Sequence, residues 1–231
     1  MNDRLTVQTD DGSFDCYVAR PTAAIAPVIV VIQEIFGVNA GIRSIADAYA
    51  AKGYIAVCPD LFWRTQPGVD MSESNEGDWA KGFALYGAYD FDKGPRDIAA
   101  TVAAARTMPG ASGKVGVTGY CLGGLLTFLT AARADADAFV AYYGGGTEKY
   151  VAEGVNIRRP LLMHLAGDDE YIGKDAQATI RAALRDNQHV EIHTYPGRNH
   201  AFARPGGNHY DAADATLANR RTDAFFKQHL T

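Results

Sequence analysis

Gly119-Tyr120-Cys121-Leu122-Gly123 is the segment that most restricts how this 231-residue chain can fold. The apolar run Lys114-Val115-Gly116-Val117-Thr118 precedes it, and Leu125-Leu126-Thr127-Phe128-Leu129 follows. The order is strand, tight turn, helix, with a thiol at the apex. Glycine two positions before and two after the apex removes the side chains that would collide as the chain reverses. The pattern is a nucleophile elbow, with cysteine where serine usually stands. A thiol in that place points to covalent acyl transfer. Such chemistry needs a histidine to carry the proton and an acid to orient the histidine.

The rest of the chain supplies a scaffold for such a turn. Leu5–Gln8 and Phe14–Ala19 flank Asp10-Asp11-Gly12, a hairpin signal. Pro27–Gln33 is a continuous β-branched run, as expected of a strand covered on both faces. Asn39 can cap a helix to about Lys52, with Gly53 as its stop, and Tyr54–Cys58 reads as the next strand. Residues 60–75 lack periodicity and contain Pro67 and Gly68, which suits a lid or pocket wall. A helix over Asp92–Thr107 leads into the strand before the elbow. Strands Ala138–Tyr142, Pro160–Ala166 and Val190–Tyr195, helix Lys174–Asp186 and a final helix Asp211–His229 complete the order. This predicts the α/β class, with one domain over residues 1–231. The sheet is mostly parallel with helices on both faces, the α/β-hydrolase fold, and its site loops lie at the carboxyl ends of the strands.

Composition narrows the partners. The formal net charge is −5 and no Lys/Arg cluster stands out, so neither nucleic acid nor an anionic membrane is an expected partner. No window approaches the roughly 20 apolar residues of a membrane span. Cys16, Cys58 and Cys121 are too few and too odd for a disulfide framework, and a reduced thiol suits a reducing compartment. The polar start, Met1 to Val7, lacks the apolar core of a signal peptide. The expectation is a cytoplasmic protein, monomeric, needing no metal or organic cofactor.

Downstream of the elbow the acid should precede the histidine. Strand Leu161–Leu165 runs into Gly167-Asp168-Asp169, and the following strand runs through Tyr195-Pro196-Gly197 to His200. Asp169 is preferred to Asp168 because the acid of this fold usually follows its strand as Gly-x-Asp; Asp168 can then cap the turn. His164 sits inside a buried strand and reads as a core histidine. His189, Glu191 and His193 share one strand face, a spacing that could hold a metal but better fits a solvent-facing edge strand. Glu34, at the end of the Val30-Val31-Ile32 run, is an acid that must be paired or face a cavity. The turn after it places the Ile35 N–H where, with the Leu122 N–H at the start of the elbow helix, it can form an oxyanion hole.

Gln33-Glu34-Ile35-Phe36-Gly37, Cys58-Pro59-Asp60-Leu61-Phe62, Gly119–Gly124, Tyr142-Tyr143-Gly144 and His200-Ala201-Phe202-Ala203-Arg204 occur together and in order. In this the chain resembles the dienelactone hydrolases (carboxymethylenebutenolidases). The resemblance implies a triad of Cys121, Asp169 and His200, with oxyanion amides from Ile35 and Leu122. It implies that Glu34 holds the resting thiol and that Arg204 contacts Glu34 or a substrate carboxylate. The implied substrate is a small ester or enol lactone, anionic in character. Two positions depart from the pattern: Trp79 stands where a second carboxylate-binding arginine is expected, with Lys81 two residues on, and Ala201 replaces a serine. Trp79, Phe83 and Tyr86 therefore suggest an aromatic pocket wall. A general carboxylesterase or thioesterase acting on another small acid is the alternative, and a non-catalytic ligand-binding protein is the rival from outside the enzymes.

Overall fold

A computed structural model describes residues 3–231; Met1 and Asn2, the first residues of the polar start, lie outside it. The frame is one eight-stranded sheet. Its strands are β1 (Asp3–Thr9), β2 (Gly12–Ala19), β3 (Ala26–Ile32), β4 (Ile55–Pro59), β5 (Ala111–Tyr120), β6 (Ala138–Tyr142), β7 (Leu161–Ala166) and β8 (Val190–Tyr195). They lie in the order β1-β2-β4-β3-β5-β6-β7-β8. The hairpin β1–β2 is antiparallel, β2 also runs antiparallel to β4, and every pairing from β4 through β8 is parallel. This is the α/β-hydrolase fold.

Helices cover the sheet: α1 (Ala40–Ala51), α2 (Glu76–Gly87), α3 (Lys93–Thr107), α4 (Leu122–Arg133), α5 (Lys174–Leu184) and α6 (Ala212–Leu230). Asn39 caps α1 by accepting from the Ile42 N–H at 3.1 Å, and Ile42, Ala46 and Tyr49 form its buried stripe. Strand β3 lies next to β4 and β5, with Val28 to Ile32 fully buried. Each such Val or Ile contributes roughly 1.5–3 kcal/mol of burial, so the strand whose end carries Glu34 is firmly held.

The elements agree with the sequence reading within a few residues, with three differences, the first being α2, over residues to which the sequence reading gave no bounded element. β5 is longer than Lys114–Thr118, because its pairing with β3 begins at Ala111 and continues to Gly119. Residues Thr147–Lys149 and Val151–Asn156 form two 3₁₀ helices. Short i→i+3 turns after Gly146, itself at φ 92°, carry no 3.6-residue apolar rhythm to read. No helix of the described residues is long and apolar enough to cross a membrane.

Candidate active site

The elbow is built by backbone crowding. Cys121 sits at φ 55°, ψ −115°, outside the ordinary regions for a residue with a side chain. A Cβ on Gly119 would lie 2.1 Å from the Gly123 carbonyl oxygen, and one on Gly123 would lie 2.5 Å from the Ile32 carbonyl oxygen. A Cβ on Gly124 would meet the Tyr142 carbonyl oxygen at 2.3 Å. The first turn of α4 thus rests directly on the ends of β3 and β6. Cys121 N–H donates to the Tyr142 carbonyl at 3.1 Å, which pins the apex to the neighbouring strand. Leu122 is the first residue of α4, so its N–H has no acceptor within the helix. The approach of Gly123 to Ile32 brings that end of α4 beside the Glu34–Gly37 turn that carries Ile35.

The acid and the histidine are assembled by the next two strands. Gly167 N–H donates to the Tyr195 carbonyl and Asp168 N–H to the Arg198 carbonyl, both at 2.8 Å. These bonds tie the loop after β7 to the loop after β8. Asp169 is buried, and its Oδ1 accepts from the Tyr171 N–H at 2.9 Å and the Ile172 N–H at 3.1 Å. His200 Nδ1 lies 3.0 Å from each Asp169 oxygen. Asp168 turns outward to Lys174 at 2.6 Å. Nε2 of His200 is buried and makes no well-formed hydrogen bond among the described residues. Burial alone would lower the His200 pKa; the interaction with the charged form of Cys121 and the hydrogen bond to Asp169 raise it, to about 10.

That shift has a consequence for stability. A histidine whose pKa is higher folded than unfolded favours the native state in its protonated form. The contribution is full below the unfolded value of about 6.5 and is lost as pH rises towards about 10. Chemical denaturation at steps from pH 6 to pH 10 should show a decline in the wild-type protein that is flattened in His200→Gln. Parallel curves would contradict the assignment.

Glu34 and Arg204 meet beside these groups. Arg204 Nη2 donates to Glu34 Oε1 at 3.0 Å, and Arg204 Nε lies 2.7 Å from Glu34 Oε2. Arg204 Nη1 forms a further ion pair with Glu73. The resemblance implied that Glu34 holds the thiol; in the structure both Glu34 oxygens face the Arg204 fork. One charge-assisted hydrogen bond, roughly twice as strong as a neutral one, and a second close ion contact hold Glu34 to Arg204, so this pairing prevails over a thiol. The expected anionic substrate therefore meets an arginine already engaged by two carboxylates.

A cavity of about 200 Å³ opens over Cys121, Leu122, His200 and Arg204. Ile35, Phe36, Trp79, Phe83, Tyr86 and Tyr171 make its apolar wall, so the three aromatic residues singled out from the sequence all line it. Trp79 packs edge-on against Phe36, ring centres 4.9 Å apart. Lys81 is exposed. A larger hollow of about 810 Å³ lies elsewhere, with Cys16 and Cys58 along it. Both thiols are buried, and burial pushes them up, which leaves them poor nucleophiles. His164 is a core residue bonded to Tyr195 and Thr222, and His193 pairs with Glu191 at 2.7 Å.

Four residues around the site escaped sequence reasoning. Tyr143, at φ 37°, packs edge-on to His200 with ring centres 5.1 Å apart, and Tyr171 does so at 4.8 Å. Glu73 pairs with Arg204, and Glu148 lines the cavity. Only the Tyr142-Tyr143-Gly144 motif and the unusual length of the 60–75 connection pointed towards any of them.

The sequence profile of the dienelactone hydrolase family matches residues 14–230. The chain belongs to the dienelactone hydrolase family. A Pseudomonas putida protein named carboxymethylenebutenolidase is 38% identical over 96% of this chain and 94% of its own. An Azospirillum brasilense protein, provisionally assigned the same name, is 48% identical over the whole of both chains. Among solved structures, one provisionally assigned as a dienelactone hydrolase from Klebsiella pneumoniae superposes with a TM-score of 0.86 at 28% identity, covering 99% of this chain and 98% of that one.

Proposed function

We propose that this dienelactone hydrolase family member cleaves a small ester or enol lactone through an acyl-thiol intermediate on Cys121. The chain is a carboxylic ester hydrolase by family; the observation that supports the finer reading is that Cys121 and His200 line one cavity, with Asp169 buried behind His200 at 3.0 Å from its Nδ1. Before attack the Cys121 proton passes to His200, a transfer in keeping with the raised His200 pKa. Cys121 Sγ attacks the carbonyl carbon, and the Ile35 and Leu122 N–H groups receive the developing oxyanion. As the carbonyl reforms, the C–O bond to the leaving enolate or alkoxide breaks and His200 Nε2 gives that oxygen its proton. Neutral His200 then takes a proton from water, the hydroxide attacks the thioester, and the C–S bond breaks to return the thiolate. Asp169 keeps the ring oriented through Nδ1 in both halves.

A thiolate leaves a tetrahedral intermediate more readily than an alkoxide does. Enol lactones, whose leaving group is a stabilised enolate, suit such a nucleophile better than simple alkyl esters. A panel of enol lactones, aryl esters, alkyl esters and thioesters, quenched rapidly and read by intact mass and peptide mapping, tests the mechanism. Turnover with an acyl adduct on Cys121 is expected. Turnover without any adduct on that residue, or with the adduct elsewhere, would count against it, as would equal rates for alkyl esters and enol lactones.

Asp169→Asn should lower kcat by roughly 10³–10⁴ while leaving the fold intact, because the amide holds the neutral imidazole in the wrong tautomer and does not balance the imidazolium's charge. Steady-state kinetics on an aryl ester measures this. A change of less than tenfold would move the orienting role to another residue. The chain is expected to act as a monomer, which sedimentation checks directly.

A further inference from the structure

Arg204 is the cation that a substrate carboxylate would seek beside Cys121 and His200, and two carboxylates already hold it. Its side chain is 14% exposed, that of Glu34 6% and that of Glu73 17%, so the three charges lie together largely out of water. One guanidinium shared by two carboxylates leaves the cluster with a surplus of negative charge. Glu73 is held in place by its own segment. Its carbonyl accepts from the Trp79 indole N–H at 2.8 Å, and Asp78 receives the Ser72 N–H at 2.9 Å. The acid and the aromatic wall of the cavity are thus set by the same stretch of chain.

A further acid on the cavity lining carries the same sign. Glu148 lines the cavity, and one of its carboxylate oxygens is buried with no hydrogen-bond partner among the described residues. Lys149, the other Lys or Arg on the wall, is exposed, where water screens it, and the His200 charge faces Asp169. An incoming carboxylate would have to displace Glu73 from Arg204 and lie near Glu34 and Glu148 in a partly dry cavity. An uncharged, planar substrate meets none of these costs and gains contact with Trp79 and Phe83.

We propose that the cavity selects an uncharged ester or lactone with an aromatic or conjugated body over one bearing a free carboxylate, and that Glu73 sets this selection by occupying Arg204. The proposal rests on the hydrolase reading above and names its substrate class. Glu73 is a specificity residue here, since it acts on the substrate through Arg204.

The test compares para-carbamoylphenyl acetate with para-carboxyphenyl acetate, each corrected for its rate of alkaline hydrolysis. Wild-type kcat/KM should favour the amide by about tenfold or more, the scale of a like-charge penalty in a screened site. Glu73→Gln should shift the ratio towards the carboxylate by at least about tenfold, mainly through KM for the carboxylate. A wild-type preference for the carboxylate overturns the proposal, and so does an unchanged ratio in a folded Glu73→Gln protein. A second measurement needs neither variant nor turnover: protection of Cys121 from alkylation by benzamide or benzoate. Stronger protection by benzamide supports the selection, and stronger protection by benzoate overturns it. Turnover of neither acetate would reject the hydrolase reading itself, while the protection experiment still decides the charge preference.

Discussion

Cys121→Ala is expected to lower kcat/KM for an aryl ester by about 10⁵ or more, because removal of a nucleophile abolishes the covalent route altogether. The fold should tolerate the change well. Cys121 is half-buried and lies at the mouth of α4, and alanine keeps a Cβ at the same strained φ of 55°. Circular dichroism should therefore stay near wild type, which separates lost chemistry from lost structure. The Ile35 and Leu122 N–H groups proposed to receive the oxyanion remain in the variant, so a small residual rate above the uncatalysed reaction is expected. A variant retaining a tenth of wild-type turnover would exclude the acyl-thiol mechanism. Alkylation of the wild-type protein with iodoacetamide gives an independent reading. Loss of activity should follow modification of Cys121, while the buried Cys16 and Cys58 stay unmodified in the native state.

Gly119→Ala is expected to cost more than about 4 kcal/mol of stability, the range reached only when a change strikes a defined structural mechanism. The added Cβ would stand 2.1 Å from the Gly123 carbonyl oxygen, 2.4 Å from its carbon and 2.6 Å from Thr127 Oγ1. Two of these atoms are backbone and cannot rotate away. Thr127 is held by its own bond to the Gly123 carbonyl at 2.7 Å. Relief requires α4 to lift from the end of β5, which carries Cys121 and the Leu122 N–H out of place. Gly173→Ala is the matched control, since a Cβ there meets nothing within 4 Å and φ is −59°. As Gly173 is the cap residue of α5, the control should cost no more than about 1 kcal/mol. Urea denaturation of the two variants measures the contrast, and equal stabilities would show that the elbow is not crowded as described.

The order of strands and helices could be read along the chain because each element carries its own local signal. Val28 to Ile32 must be a buried strand because nothing else hides such a run, and Asn39 marks the start of α1 through its short side chain. The same holds for Cys121: the glycines that flank it are demanded by contacts within a few residues. Asp169 and His200 come within 3.0 Å because the chain leaves the neighbouring parallel strands β7 and β8 on the same side. Nothing local, however, reports that Glu73 turns towards Arg204. Residues 60–75 have no periodic pattern, so their path depends on what they meet, such as Gln33 accepting from the Leu61 N–H at 3.1 Å.

The amino-acid order alone therefore determined the parallel sheet, the bend that carries the thiol and the acid-then-histidine sequence, since short-range sterics and apolar runs specify them. Tertiary packing decided the charge of the cavity. It paired Arg204 with Glu34 and Glu73, set Tyr143 and Tyr171 against His200, and left a Glu148 oxygen without a partner. Those contacts join residues far apart in the chain, and a side chain's electrostatic surroundings exist only once distant segments have come together.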